Sequence, residues 1–182
     1  MRPARNKPKK QRMDGPARGF SVIELLVCMA IILIVAAIAI PNYLRSRMLA
    51  NEAAAAQNLR TITTAAVVYN TTWGNGYPPT IATMGGAGAA TCDNAVLLDS
   101  ILATPPSQKS GYAFTYTPEG GNVTKPPSCG TAGYTGYLVT TQPISSLTGQ
   151  SSYCSNEPGV IHVDHHGQAI GDPTACNALP IL

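Results

Sequence analysis

The chain has 182 residues, of which 12% are charged, against 17 glycines and 15 prolines. That leaves room for one domain plus an appendage, and it favours an uncharged, loop-rich body over a helical enzyme domain. The formal charge of +3 is concentrated at one end, because residues 1–19 hold seven basic side chains (Arg2, Arg5, Lys7, Lys9, Lys10, Arg12, Arg18) and one acid, Asp14. The remainder is mildly acidic, so the basic excess gives no support for nucleic-acid binding by the body.

Phe20 to Ile40 is a run of 21 residues, apolar almost throughout, in which Ser21 is the uncharged polar residue and Glu24 the charged one. At about 1.5 Å per residue such a helix spans roughly 30 Å, the thickness of a hydrocarbon core. Basic flanks stay cytoplasmic, which puts the N-terminus inside and the C-terminal body outside the inner membrane. Ala37-Ile38-Ala39 fits the pattern of a signal-peptide cleavage site. The run is longer than an ordinary signal h-region of about 7–15 residues, however, and it carries an acid near its start. An ionised acid in hydrocarbon costs several kcal/mol unless paired, which makes Glu24 a functional residue by default. The competing account is a chance acid near a membrane end, snorkelling to the interface.

Gly19-Phe20-Ser21-Val22-Ile23-Glu24-Leu25-Leu26, with Arg18 before it and a long apolar helix after it, resembles the prepilin cleavage and methylation motif of type IV pilins and of the pseudopilins of type II secretion. Pro41, 21 residues after Phe20, matches the helix proline common in those families. The resemblance is specific over residues 18–45 and architectural beyond them. It implies an α+β fold, with a long N-terminal helix packed on a small antiparallel sheet. It also implies that residues 1–19 are a cytoplasmic leader, removed by a prepilin peptidase between Gly19 and Phe20, and that the new Phe20 amine is N-methylated. Glu24 then becomes the fifth residue of the mature chain. It can pair with the Phe20 amine of a neighbour and so set the register of helices in a filament. Implied partners are other copies of the chain in a helical filament, the inner membrane before assembly, the peptidase and a pilus assembly machine. No cofactor and no catalytic residue is implied, and nucleic acid as a partner is left open. The leader is long for the family, and translation from Met13 gives a seven-residue version, MDGPARG. A precursor peptide spanning Lys10 to Met13 would refute that start.

Pro41 lacks an N–H and crowds the carbonyl four residues back, so a kink is expected there. A polar exit, Asn42 to Arg47, leads into NEAAAAQNLRTITTAAVVYN, which is rich in helix formers. Leu59, Ile62, Ala66 and Tyr69 fall on one helical face, the one expected to pack on the body. The helix therefore reads from about Phe20 to about Tyr69, with residues 20–40 as the transmembrane and assembly half and residues 41–72 as the amphipathic half. Trp73-Gly74-Asn75-Gly76-Tyr77-Pro78-Pro79 ends it. Residues 73–182 form the extracytoplasmic, β-rich region.

Within that region, residues 80–91, with GGAGAA, read as a flexible loop, and Asn94 to Ala103 as a short helix. The loop lacks the Lys-Ser/Thr of a phosphate cradle. Ser110–Pro118 and Tyr134–Gln142 read as strands, and residues 159–170 as a hairpin with arms Val160–Val163 and Gln168–Ile170. The last residues read as an irregular tail pinned by Cys176. Cys28, inside the apolar run, reads as a buried apolar residue. The other four cysteines, Cys92, Cys129, Cys154 and Cys176, form no C-x-x-C pair, so zinc is not expected. An even set behind a membrane segment reads as two disulfides in an oxidising compartment. Three pairings are possible. Cys92–Cys129 with Cys154–Cys176 is favoured because each closes a local loop. In pilins the region between the last two cysteines is often an exposed recognition loop.

His162-Val163-Asp164-His165-His166 contains metal-ligand residue types. On a strand His162 and Asp164 share a face, but His165 and His166 precede Gly167 in what reads as a turn. Tyr112, Tyr116, Tyr134 and Tyr137 read as sheet and core, with an adhesive aromatic surface as the alternative. Asn70-Thr71-Thr72 and Asn122-Val123-Thr124 match the N-glycosylation triplet. The reading that unites these features is a type IV pilus subunit. Its rivals are a type II secretion pseudopilin, a membrane-anchored binding protein that does not polymerise, and a secreted metal enzyme using His162 and Asp164.

Overall fold

The computed structural model of the chain describes residues 19–157 and 159–182. The leader expected over residues 1–19, with Arg18 and the start at Met13, lies outside them apart from Gly19. The chain divides into two units at Pro41/Asn42. The dominant element, α1 (Val22–Trp73), is a single helix of 52 residues that continues through Pro41. It is the one helix long and apolar enough to cross a membrane among the described residues.

In the first unit the apolar side chains of α1, among them Leu25, Leu26, Ile31, Leu33 and Ile38, are exposed. Cys28, expected to be buried, is exposed as well. Its surroundings are the same helix surface, and no other element among the described residues covers it. A helix apolar on all sides finds its low-energy environment in lipid or among other helices.

In the second unit the expected face is the buried one, with Leu59, Ile62, Ala66 and Tyr69 all fully buried. The helix outlasts the expected end at Tyr69 by one turn. Thr71 Oγ1 returns to the carbonyls of Val67 and Val68 at 3.1 Å, and Trp73 packs on Tyr69 with ring centroids 5.1 Å apart. Gly74, at φ +61°, then ends it, a backbone angle that only glycine adopts without strain.

The sheet is five-stranded, antiparallel and sequential: β1 (Gln108–Lys109), β2 (Tyr112–Asn122), β3 (Tyr134–Pro143), β4 (Ser152–Asn156) and β5 (Ile161–Asp164). Tyr112, Phe114, Tyr137, Val139, Tyr153, Ile161 and Val163 face α1 and form one core with Ala55, Leu59 and Ile62. The fold is the expected α+β arrangement of a long helix on a small antiparallel sheet. On the other face, Leu138 and Cys154 pack with Ile170, Cys176 and Leu179 of the C-terminal tail.

Several local expectations are corrected. Residues 159–170 are not a hairpin: β5 pairs with β4, so its turn precedes it, and residues 168–170 are not a strand. The region 80–91 contains a 3-10 helix, Ile81–Met84, because Thr80 caps it and Ile81 and Met84 are buried. The helix expected over Asn94–Ala103 shrinks to α2 (Ser100–Ala103), which starts where Asp99 accepts from the N–H groups of Ile101 and Leu102. Before it, the N–H groups of Ala95, Val96, Leu97 and Leu98 donate across to the 3-10 segment, at Thr83, Gly85 and Met84, instead of along a helix. The tail is not wholly irregular, since Asp172 caps α3 (Pro173–Asn177). Two disulfides, Cys92–Cys129 and Cys154–Cys176, close loops of 37 and 22 residues.

Candidate processing and assembly segment

Gly19, Phe20 and Ser21 are not helical, and α1 begins at Val22. The Ser21 carbonyl accepts the first helical bonds, from the N–H of Glu24 at 3.1 Å and of Leu25 at 3.2 Å. The junction between Gly19 and Phe20 is thus non-helical backbone directly before a helix. Both residues are exposed, and a Cβ placed on Gly19 would meet nothing within 4 Å. A protease needs accessible backbone outside a helix, because helical backbone has its amides already engaged.

Ser21 and Glu24 also stand in the S-x-x-E spacing of a capping box, a local signal that gives Glu24 a structural alternative to its functional reading. The side-chain bonds of that box are not formed. Among the described residues the Glu24 carboxylate has no hydrogen bond and no ion pair. It lies in the first turn of α1, where the helix dipole favours an acid. More than four helical turns of apolar side chains, Leu25 to Ile40, follow. Pro41, exposed and inside α1, withholds one N–H from the helix ladder at the boundary between the two units.

The second unit offers no comparable chemistry. His162 is buried and its Nδ1 lies 2.8 Å from the Leu179 carbonyl, so its role is to hold the tail. The Asp164 carboxylate accepts from the N–H groups of His166 at 3.0 Å and Gln168 at 2.8 Å. The His166 amide bond first, then the Gln168 amide and the nearby imidazoles, hold its pKa below the usual carboxylate range. His162 and Asp164 are therefore spent on separate structural tasks, and no group of three metal-ligating side chains occurs among the described residues. His165 and His166 are exposed in the turn. Tyr112, Tyr116 and Tyr137 have their pKa values raised, chiefly by burial, as core residues should. Tyr137 packs against Tyr77 and Tyr116, with centroids 4.7 and 6.1 Å apart. Of the four tyrosines considered for an adhesive surface, Tyr134 alone is left outside the buried clusters.

Residues 16–40 match the prokaryotic N-terminal methylation motif. The chain therefore carries the type IV prepilin signature, which implies processing by a prepilin peptidase and pilus-type assembly. Comparison of the chain with curated proteins and with solved structures gave no match. The match ends at Ile40, one residue before the boundary between the two units, so it lies within the first unit.

Proposed function

We propose that this chain is a structural subunit of a type IV pilus, cut before Phe20, N-methylated there and polymerised through the first half of α1. The observation that carries the reading is the carboxylate of Glu24, unpaired among the described residues, in the first half of α1, which is apolar and exposed. Cleavage before Phe20 supplies the missing cation. A carboxylate and an ammonium brought together in a medium of low dielectric attract strongly, while either one alone is penalised. A helix that docks out of register forfeits that attraction, so the pair sets the axial step between neighbours. Residues 20–40 then serve as membrane anchor before assembly and as filament core afterwards. Residues 41–72 carry the body, and residues 73–182 form the extracytoplasmic, disulfide-closed surface. Pro41 loosens the helix where the membrane half ends.

The alternative within the same class is a pseudopilin of type II secretion. The two disulfides and the absence of an acidic cluster resembling a calcium loop among the described residues favour the pilin. The test is a pair of strains. Replacing Glu24 with Gln is expected to leave the precursor inserted in the membrane and cleaved, while sheared surface filaments containing the chain disappear. Normal filaments from that strain would contradict the pairing. Exoproteins trapped in the periplasm on deletion, with surface filaments unaffected, would assign the chain to secretion.

A further inference from the structure

We propose that Pro118 is the residue that keeps the open edge of the sheet from pairing with a second copy of the chain. The proposal rests on the hydrogen-bond parity of β2 and not on the filament reading. In an antiparallel ladder successive residues direct their N–H and C=O groups alternately toward one neighbour and the other. Phe114 lies opposite Thr141 of β3, yet its N–H donates away from β3, to the Ser107 carbonyl at 2.8 Å. Tyr116 and Pro118, opposite Val139 and Tyr137, share that parity. Their backbone groups therefore also point away from β3, toward the side on which β1 lies.

β1 does not reach them, since it covers only Tyr112 and Ala113. Ser107 adds one more bond, and the residues that would continue alongside Thr115 and Tyr116 are Pro106 and Pro105, which have no N–H to donate. The neighbouring chain peels off here and leaves a concavity of about 330 Å³ bounded by Ile81, Pro105, Pro106, Thr115 and Tyr116. The far edge is different. There the tail covers β5, with Val163 N–H donating to the Pro180 carbonyl at 2.9 Å and Leu182 N–H to the Ile161 carbonyl at 3.0 Å. Among the described residues, then, β2 from Thr115 onward is the uncovered edge.

An uncovered edge templates pairing with another chain unless something blunts it. Pro118 stands at an outward position, so the ladder that Tyr116 could start loses its next donor, and the register shift between Glu119 and Asn122 breaks it again. One residue earlier or later, the proline would face β3 and break the sheet itself.

The test uses the full chain in detergent, with Pro118→Thr and Pro118→Ala compared with the parent for mass in solution and for amide exchange at Tyr116. The expected result is a shift of the variants from the parent's mass to pairs, with the Tyr116 amide becoming protected as concentration rises and the Thr115 and Thr117 amides unchanged. Variants that keep both disulfides and the parent's near-ultraviolet dichroism but also keep its mass would overturn the proposal. Should the threonine variant fail to fold, the alanine variant, which restores the N–H with the smallest side chain, gives the reading. Loss of the fold in both would overturn it too, by making Pro118 a folding requirement instead.

Discussion

Asn75, fully buried just past the end of α1, donates through Nδ2 to the backbone carbonyl of Thr131 at 2.9 Å, joining the helix terminus to a loop 56 residues away. The same side chain accepts from the Gly133 N–H at 3.2 Å and donates to the Tyr69 hydroxyl at 3.1 Å. That hydroxyl lies 3.2 Å from Cys92 Sγ, so one amide ties together the last turn of α1, the Cys92–Cys129 disulfide and the start of β3. Replacing Asn75 with Leu orphans the buried Gly133 N–H, at about 1–3 kcal/mol, and the part-buried Thr131 carbonyl, at less. The expected loss is roughly 1–4 kcal/mol, read as a fall in the thermal midpoint of the full chain in detergent. A change of a few tenths would mean that the network adds nothing.

The two disulfides should fail in separable ways. By loop length alone, removing either one costs roughly 3–4 kcal/mol, with the 37-residue loop costing slightly more than the 22-residue one. The local signatures differ. Without Cys154–Cys176 the tail is freed, and the Val163 and Leu182 amides, which bond between β5 and the tail, should exchange faster. Without Cys92–Cys129 those amides should keep their protection, while the Gly133 amide, held by Asn75, loses it. Amide exchange on the two double-alanine variants decides the matter, and identical patterns would contradict this division.

Asp99 gives a pH dependence with a definite sign. Lys109 Nζ sits 2.7 Å from its Oδ2, and this bond, followed by the Leu102 amide, holds the Asp99 pKa below the usual carboxylate range. A carboxylate depressed in the folded state stabilises the fold above its unfolded pKa of about 3.9. That contribution is lost as pH falls through the folded value. Both side chains are about a third or more exposed, at 34% and 45%, so solvent screening limits the effect to below about 1 kcal/mol. The expected outcome is an Asp99 carboxyl resonance that titrates below the ordinary range, and a small acid-side destabilisation that Asp99→Asn removes. An ordinary titration midpoint would contradict the ion pair.

What the sequence made legible follows from where each signal resides. The buried face of α1 is read from a 3.6-residue period because one helix buries one stripe, and Leu59, Ile62, Ala66 and Tyr69 are that stripe. β2 announces itself through Tyr112, Phe114 and Tyr116 alternating with smaller residues, and β3 through Tyr137 and Val139 on one face. β4 does not, since Ser152, Ser155 and Asn156 look like loop residues. They are buried because β4 is central, with α1 on one face and the tail on the other, and the Ser152 and Ser155 hydroxyls find no partner there. With β4 illegible, the sequence offers β5 a partner only in the residues that follow it, whereas in the structure it pairs with β4. The prepilin signature is legible because it is linear: the methylation motif lies in one stretch, residues 16–40. The block at Pro118 is illegible in sequence, for it depends on which of two neighbours each backbone group faces.

The central claim is that proteolysis creates a cation one helical turn from Glu24, at Phe20 and nowhere else. The direct measurement is the mass of the N-terminal peptide of the mature chain. The account predicts a peptide that begins at Phe20 and carries a methyl group on its amine. A chain that begins at Ile40, beyond the Ala37-Ile38-Ala39 site, would contradict it, because the apolar helix and Glu24 would then be gone from the mature protein.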